Sequence, residues 1–141
     1  AESWAGAVGL MQLMPATAEE FGARDRLNPY QSLRAGVRYL SYLDQLWGKY
    51  VKDDNERLRF VLASYNAGLS HIIDARNLAK KYGKNPARWE DVESFLRQKS
   101  NPRYYQDAVV LAGYCKCEEP VNYVHDILTR YEQYKQLIAE S

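Results

Sequence analysis

The sequence predicts an all-α fold, and three observations carry that prediction. Apolar residues recur at helical spacing along nearly the whole chain. No segment alternates polar and apolar residues as a half-buried strand would. Asn-Pro and Gly signals punctuate the periodic runs where helices should start and stop. The 141 residues suit one domain of six or so helices joined by short loops. A chain of this length buries roughly two-thirds of its unfolded surface, so its core needs no metal or disulfide staple.

Each element has its own local reason. Pro15 to Gly22 has proline in the first turn, early acids and a closing glycine, the signals of a short helix. Asn28 is a cap and Pro29 a first helical residue. The helix they open places Leu33, Val37, Leu40, Leu43 and Trp47 on one stripe and ends at Gly48. A third helix starts near Asp54 or Asn55, buries Leu58, Val61, Leu62 and Tyr65, and stops at Asn66-Ala67-Gly68. Ser70 caps the next, which runs through Ile72, Ile73, Ala75, Leu78 and Ala79 to Gly83. Trp89 to Leu96 forms a shorter one, and Asn101-Pro102 opens a tyrosine-rich segment of no decided structure. The last helix spans about Pro120 to Ala139, with Val121, Val124, Leu128, Tyr131 and Leu137 inward.

Composition removes several functions. With 19 basic and 18 acidic residues the net charge is +1, which supplies no general field for nucleic acid or an anionic membrane. No membrane span or signal peptide is present. Twelve Tyr and three Trp are many for this length; most serve helix packing, and rings with polar tips also suit sugar faces. Cys115 and Cys117 are expected as free thiols, or with one paired outside the domain. A bridge across one residue would be strained in most backbone conformations. His71 and His125 are scattered and give no zinc spacing.

Three segments are over-specified for packing. Gly6 to Ala18 brackets an apolar run around one amide, Gln12, which is costly to bury without partners. Ala63-Ser64-Tyr65-Asn66-Ala67-Gly68 sets two hydrogen-bonding side chains at a helix end. Glu119-Pro120-Val121-Asn122-Tyr123-Val124 puts Tyr123 in the first turn of the last helix.

In this order the blocks resemble the catalytic domain of the lytic murein transglycosylases, the goose-type-lysozyme-like (SLT) branch of the lysozyme superfamily. The carrying residues are Glu2-Ser3, Gly9-Leu10-Met11-Gln12-Leu13-Met14-Pro15 with Thr17-Ala18, Ala35 to Leu40, Tyr65 to Gly68, and Tyr123-Val124. The likeness spans nearly the whole chain and is strongest to the membrane-bound type F group.

The resemblance implies a lysozyme-like helical domain over 1–141 that cuts the MurNAc-GlcNAc β-1,4 bond of peptidoglycan and leaves a 1,6-anhydro-MurNAc end. It implies Glu2 as the catalytic carboxylate, with Gln12, Met14, Tyr65, Asn66 and Tyr123 lining the glycan cleft and Tyr123 reaching Glu2. Ser3 belongs to the same motif with a structural role. No metal or organic cofactor is implied, and the partner is the glycan strand. The implied location is the periplasm, with outer-membrane association through a segment outside this chain. The family has a longer loop between its Glu-Ser-x-Trp and Gly-Leu-Met-Gln segments; here Gly6 follows Trp4 almost at once. The expectation is therefore a domain truncated at its N-terminus and lacking a loop near residues 4–5.

One carboxylate suffices for this chemistry when it acts first as acid and then as base, with the sugar's own 6-hydroxyl as nucleophile. Most glycosidases need a second. Glu19, Glu20, Asp25, Asp54 and Asp74 all read as caps or solvated helix faces. The rival readings are a lysozyme-like hydrolase on the same fold, an inactive peptidoglycan-binding domain, and a generic helical interaction module.

Overall fold

The computed structural model describes residues 15–23 and 28–140, and among them every regular element is helical. Contacts cluster into two compact units, Ala1–Leu46 and Trp47–Ser141.

In the first unit, α1 spans Pro15–Glu20. Glu19 and Glu20 fall in its last turn, not its first, because the helix is only six residues long. Gly22 closes it at φ 105°, a backbone conformation that residues with a Cβ rarely adopt. The Arg38 guanidinium donates to the Phe21 carbonyl, and the Phe21 ring packs on Tyr39 and Tyr42 at 5.0 and 5.6 Å. Helix α2 spans Pro29–Trp47. Asn28 caps it as predicted, its Oδ1 accepting from the Tyr30 and Gln31 amides at 2.9 and 3.2 Å. Its buried stripe is Ser32, Ala35, Leu43 and Trp47, whereas Leu33 and Val37 are exposed. The predicted stripe was rotated by one position at its N-terminal end, where small residues occupy the inner face.

The second unit holds the larger core. Helix α3 spans Asp54–Ala67 and is capped by Asp53, whose carboxylate accepts from the Glu56 amide at 2.9 Å. It buries Phe60, Val61, Ala63 and Ser64 and leaves Leu58 exposed, against expectation. Gly68, at φ 100°, ends α3 and at once begins α4 (Leu69–Lys81), so Ser70 lies inside the first turn rather than capping it. Helix α5 covers Trp89–Arg97 and runs into a 3₁₀ turn at Gln98–Ser100. The tyrosine-rich segment forms one turn of helix, α6 (Pro102–Tyr105), capped by Asn101. Helix α7 runs Glu118–Glu140; Val121 and Val124 are buried, and Tyr131 and Leu137, predicted inward, are exposed. Helix α3 packs against α4, α5 and α7, and α4 against α5.

The two cysteines form a disulfide, which corrects the prediction of free thiols. Cys117 lies in the turn that leads into α7, so the chain bends between the two cysteines instead of running extended. Their Cα atoms stand 5.3 Å apart, well inside the range a bridge needs.

Candidate functional site

Tyr65 and Asn66 sit in the last turn of α3, where Gly68 turns the chain and donates its N–H to Ser64 O at 3.0 Å. Ser64 fixes this end of the helix: fully buried, its hydroxyl accepts from Trp47 Nε1 at 2.9 Å. Tyr65 and Asn66 are half-buried. Tyr123 lies near the start of α7, also half-buried, and burial pushes its phenol pKa above the usual value. A phenol so placed keeps its proton and stays a donor at any physiological pH. Because α3 and α7 pack together, the helices that carry these three residues are neighbours. Glu2, Gln12 and Met14, predicted to share the cleft, lie outside the described residues, as does Asp25.

Among the carboxylates read as caps or solvated faces, Glu19, Glu20 and Asp54 are exposed as expected. Asp74 is not. It is 1% exposed and pairs with Lys99, itself 0% exposed, at 2.7 Å. Asp74 also accepts from the Leu111 and Ala112 amides at 2.8 and 2.9 Å, which pins the segment that leads to α7. Lys99 Nζ stands 2.6 Å from His71 Nδ1. Burial pulls the Lys99 pKa down, with Asp74 pulling it back. His71 is likewise lowered, first by burial and then by the Lys99 charge. The sequence did hold a signal here: His71, Asp74, Ala75 and Leu78 share one helical stripe, so two polar residues sat on an inner face.

The fold also brings His71, called scattered from sequence, to the cysteines; a ring nitrogen and both sulfurs lie within 4.8 Å of one another. Elsewhere, a groove of about 470 Å³ runs along α3, α5 and α7, lined by Arg59, Trp89, Glu93, Leu128 and Glu132 among others. It contains none of Tyr65, Asn66 and Tyr123. No helix among the described residues is long and apolar enough to cross a membrane.

Residues 1–87 match the transglycosylase SLT domain family. The chain is 42% identical over 136 residues to the membrane-bound lytic murein transglycosylase F of Desulfosudis oleivorans, covering 96% of this chain and 29% of that protein. It is 42% identical to the protein of the same name from Shewanella pealeana (94% and 27% covered) and 41% to that of Pectobacterium atrosepticum (90% and 26%). The chain thus spans less than a third of the length of these curated relatives.

Proposed function

Since the chain belongs to the transglycosylase SLT domain family, we propose that it is a peptidoglycan lytic transglycosylase domain. Residues 1–141 act as one catalytic domain that cleaves the MurNAc-GlcNAc β-1,4 bond and leaves a 1,6-anhydro-MurNAc end. The observation that carries this reading is the Tyr65-Asn66 pair at the terminus of α3, a helix packed on the one that bears Tyr123. The relatives are named membrane-bound lytic murein transglycosylases, which supports a periplasmic site of action with membrane attachment outside this chain. Nucleic acid has no part in the reading, which the near-zero net charge favours.

The reaction needs a proton for the departing glycosidic oxygen while positive charge builds at the anomeric carbon. Glu2 is the proposed donor and then the base that takes the 6-hydroxyl proton as that oxygen attacks. Tyr123, whose hydroxyl stays protonated, orients the carboxyl group by a hydrogen bond. Asn66 and Gln12 present amides to the substrate's acetamido group, while Tyr65 and Met14 pack against the sugar ring.

The test uses the full-length protein on purified sacculi, with products read by mass spectrometry. Glu2→Gln should lower release of anhydro-muropeptides by about 10²-fold or more while sacculus binding persists. Tyr123→Phe should lower it by about tenfold, the loss of one orienting hydrogen bond. Parental turnover by Glu2→Gln strikes Glu2 from the mechanism. Products one water heavier than the anhydro form make the enzyme a hydrolase.

A further inference from the structure

The proposed reaction uses neither the disulfide nor the polar cluster beside it. A bridge between Cys115 and Cys117 encloses a single intervening residue, and cross-links over so short a loop remove the least entropy from the unfolded chain. Structural stapling is therefore a weak reason for it. The surroundings suggest a chemical one. Cys115 is half-buried and reachable, whereas Cys117 has no exposed surface. His71 Nδ1 stands 2.6 Å from Lys99 Nζ, and a ring nitrogen of His71 lies within 4.8 Å of both sulfurs, which sets the charged Lys99–His71 pair next to the bridge. Cys115 also donates its own amide to Lys99 O at 3.2 Å, which fixes the pair against the cluster. The same three groups could suit a soft cation by residue type. That use is disfavoured because the Lys99 amino group, 2.6 Å from His71 Nδ1, would place a positive charge beside the metal.

We propose that Cys115–Cys117 is a reversible thiol–disulfide exchange site, with Cys115 the sulfur attacked and the Lys99–His71 pair stabilising the Cys117 sulfur that leaves. The partner is a thiol reductant. Its thiolate attacks Cys115 Sγ, the Cys115–Cys117 bond breaks, and Cys117 departs with the electron pair as a thiolate beside the Lys99–His71 pair. A second reductant thiolate attacks the outer sulfur of the mixed disulfide and frees Cys115. Two reductant thiols become one disulfide, and their two protons end on the two cysteines.

The experiment equilibrates the full-length, folded protein with mixtures of reduced and oxidised dithiothreitol, quenches in acid, and counts alkylated cysteines by mass spectrometry. The air-isolated protein should take no label, and the fully reduced protein two, with a reversible transition in native buffer. Cys117→Ala, which keeps the reachable thiol, should accept one glutathione from its oxidised form; Cys115→Ala should do so at least about tenfold more slowly. His71→Ala should favour the oxidised form by about threefold or more, with its circular dichroism unchanged. Two labelled cysteines without reductant overturn the proposal, as does stoichiometric zinc protecting them. So does a bridge that opens only in denaturant. Equal glutathione uptake by the two cysteine variants overturns the assigned polarity, and an unmoved His71→Ala equilibrium removes the role of the Lys99–His71 pair. None of these readouts depends on glycan cleavage.

Discussion

A lysine with no exposed surface is tolerable only if its charge is met, and Lys99 meets Asp74 at 2.7 Å with the His71 ring at 2.6 Å. The carboxylate is the better satisfied partner, since it also collects two backbone amides. This asymmetry makes a prediction about single and double substitutions. Asp74→Ala should cost about 3–5 kcal/mol, because it leaves a buried ammonium unpaired and two amides without acceptors. Lys99→Met should cost less, since Asp74 keeps the Leu111 and Ala112 amides. The double variant should be more stable than the sum of the single losses implies, by at least about 1 kcal/mol in chemical denaturation. Strict additivity would mean the pair is not coupled. At this scale the sequence was only partly legible. Tyr65, Asn66 and Tyr123 stood out through the ordered motif blocks they belong to, since taken alone each has an ordinary packing reading. Asp74 showed only as a polar residue on the inner stripe of α4, and its pairing with Lys99 did not show, because the partner is 25 positions away.

Helix ends were the most legible elements, because caps are local. Asn28 caps α2 as its Asn-Pro context predicts, and Asn101, in the same context but left undecided, caps α6. Helix faces were less so: Leu33 and Val37 are exposed while Ser32 and Ala35 are inside, since close-packed small residues carry no hydrophobic signal. One cap was invisible for a physical reason. Arg88 precedes α5 and provides no side-chain cap, and the Trp89 amide is instead met by Glu56 Oε2 of α3 at 3.0 Å, from 33 residues away. Glu56 occupies the third position of α3, where a carboxylate would often reach back to its own cap residue; here it joins two helices. Its charge also faces the positive end of α5. Glu56→Ala should therefore destabilise by about 1.5–3 kcal/mol, and amide hydrogen exchange should quicken at the start of α5. Asp53→Ala, which removes only the local cap of α3, should cost about 1 kcal/mol and leave α5 protected. Equal exchange at α5 in both variants would remove the long-range cap from the account.

At the scale of the whole molecule, the all-α class and the helix count were legible because the apolar period runs through nearly the entire chain. The division into units at Leu46 and Trp47 was not, since it falls in the last turn of one uninterrupted helix where composition does not change. That division decides where acid should act. His71 belongs to the second unit, and so do its charged neighbours Lys99 and Asp74. In the unfolded chain His71 takes up a proton near its ordinary pKa of 6.5; in the fold, burial and the Lys99 ammonium hold it lower. Below about pH 6.5 the unfolded state therefore binds more protons than the folded state, and stability falls as pH falls. The loss stops growing once pH passes below the folded pKa, where both states carry the proton. Above pH 6.5 both are neutral and the penalty vanishes. Two of the three tryptophans, Trp47 and Trp89, lie in the second unit and pack on Phe60 at 5.0 and 5.2 Å, so in a Trp4→Phe background tryptophan fluorescence reports its unfolding. Between pH 7.5 and 5 the urea midpoint read this way should drop in the parent (a window of about one unit or more on either side of the ordinary histidine pKa). It should drop distinctly less in His71→Gln, which keeps a polar side chain without the titration. A parallel fall in both proteins would assign the acid sensitivity to other groups.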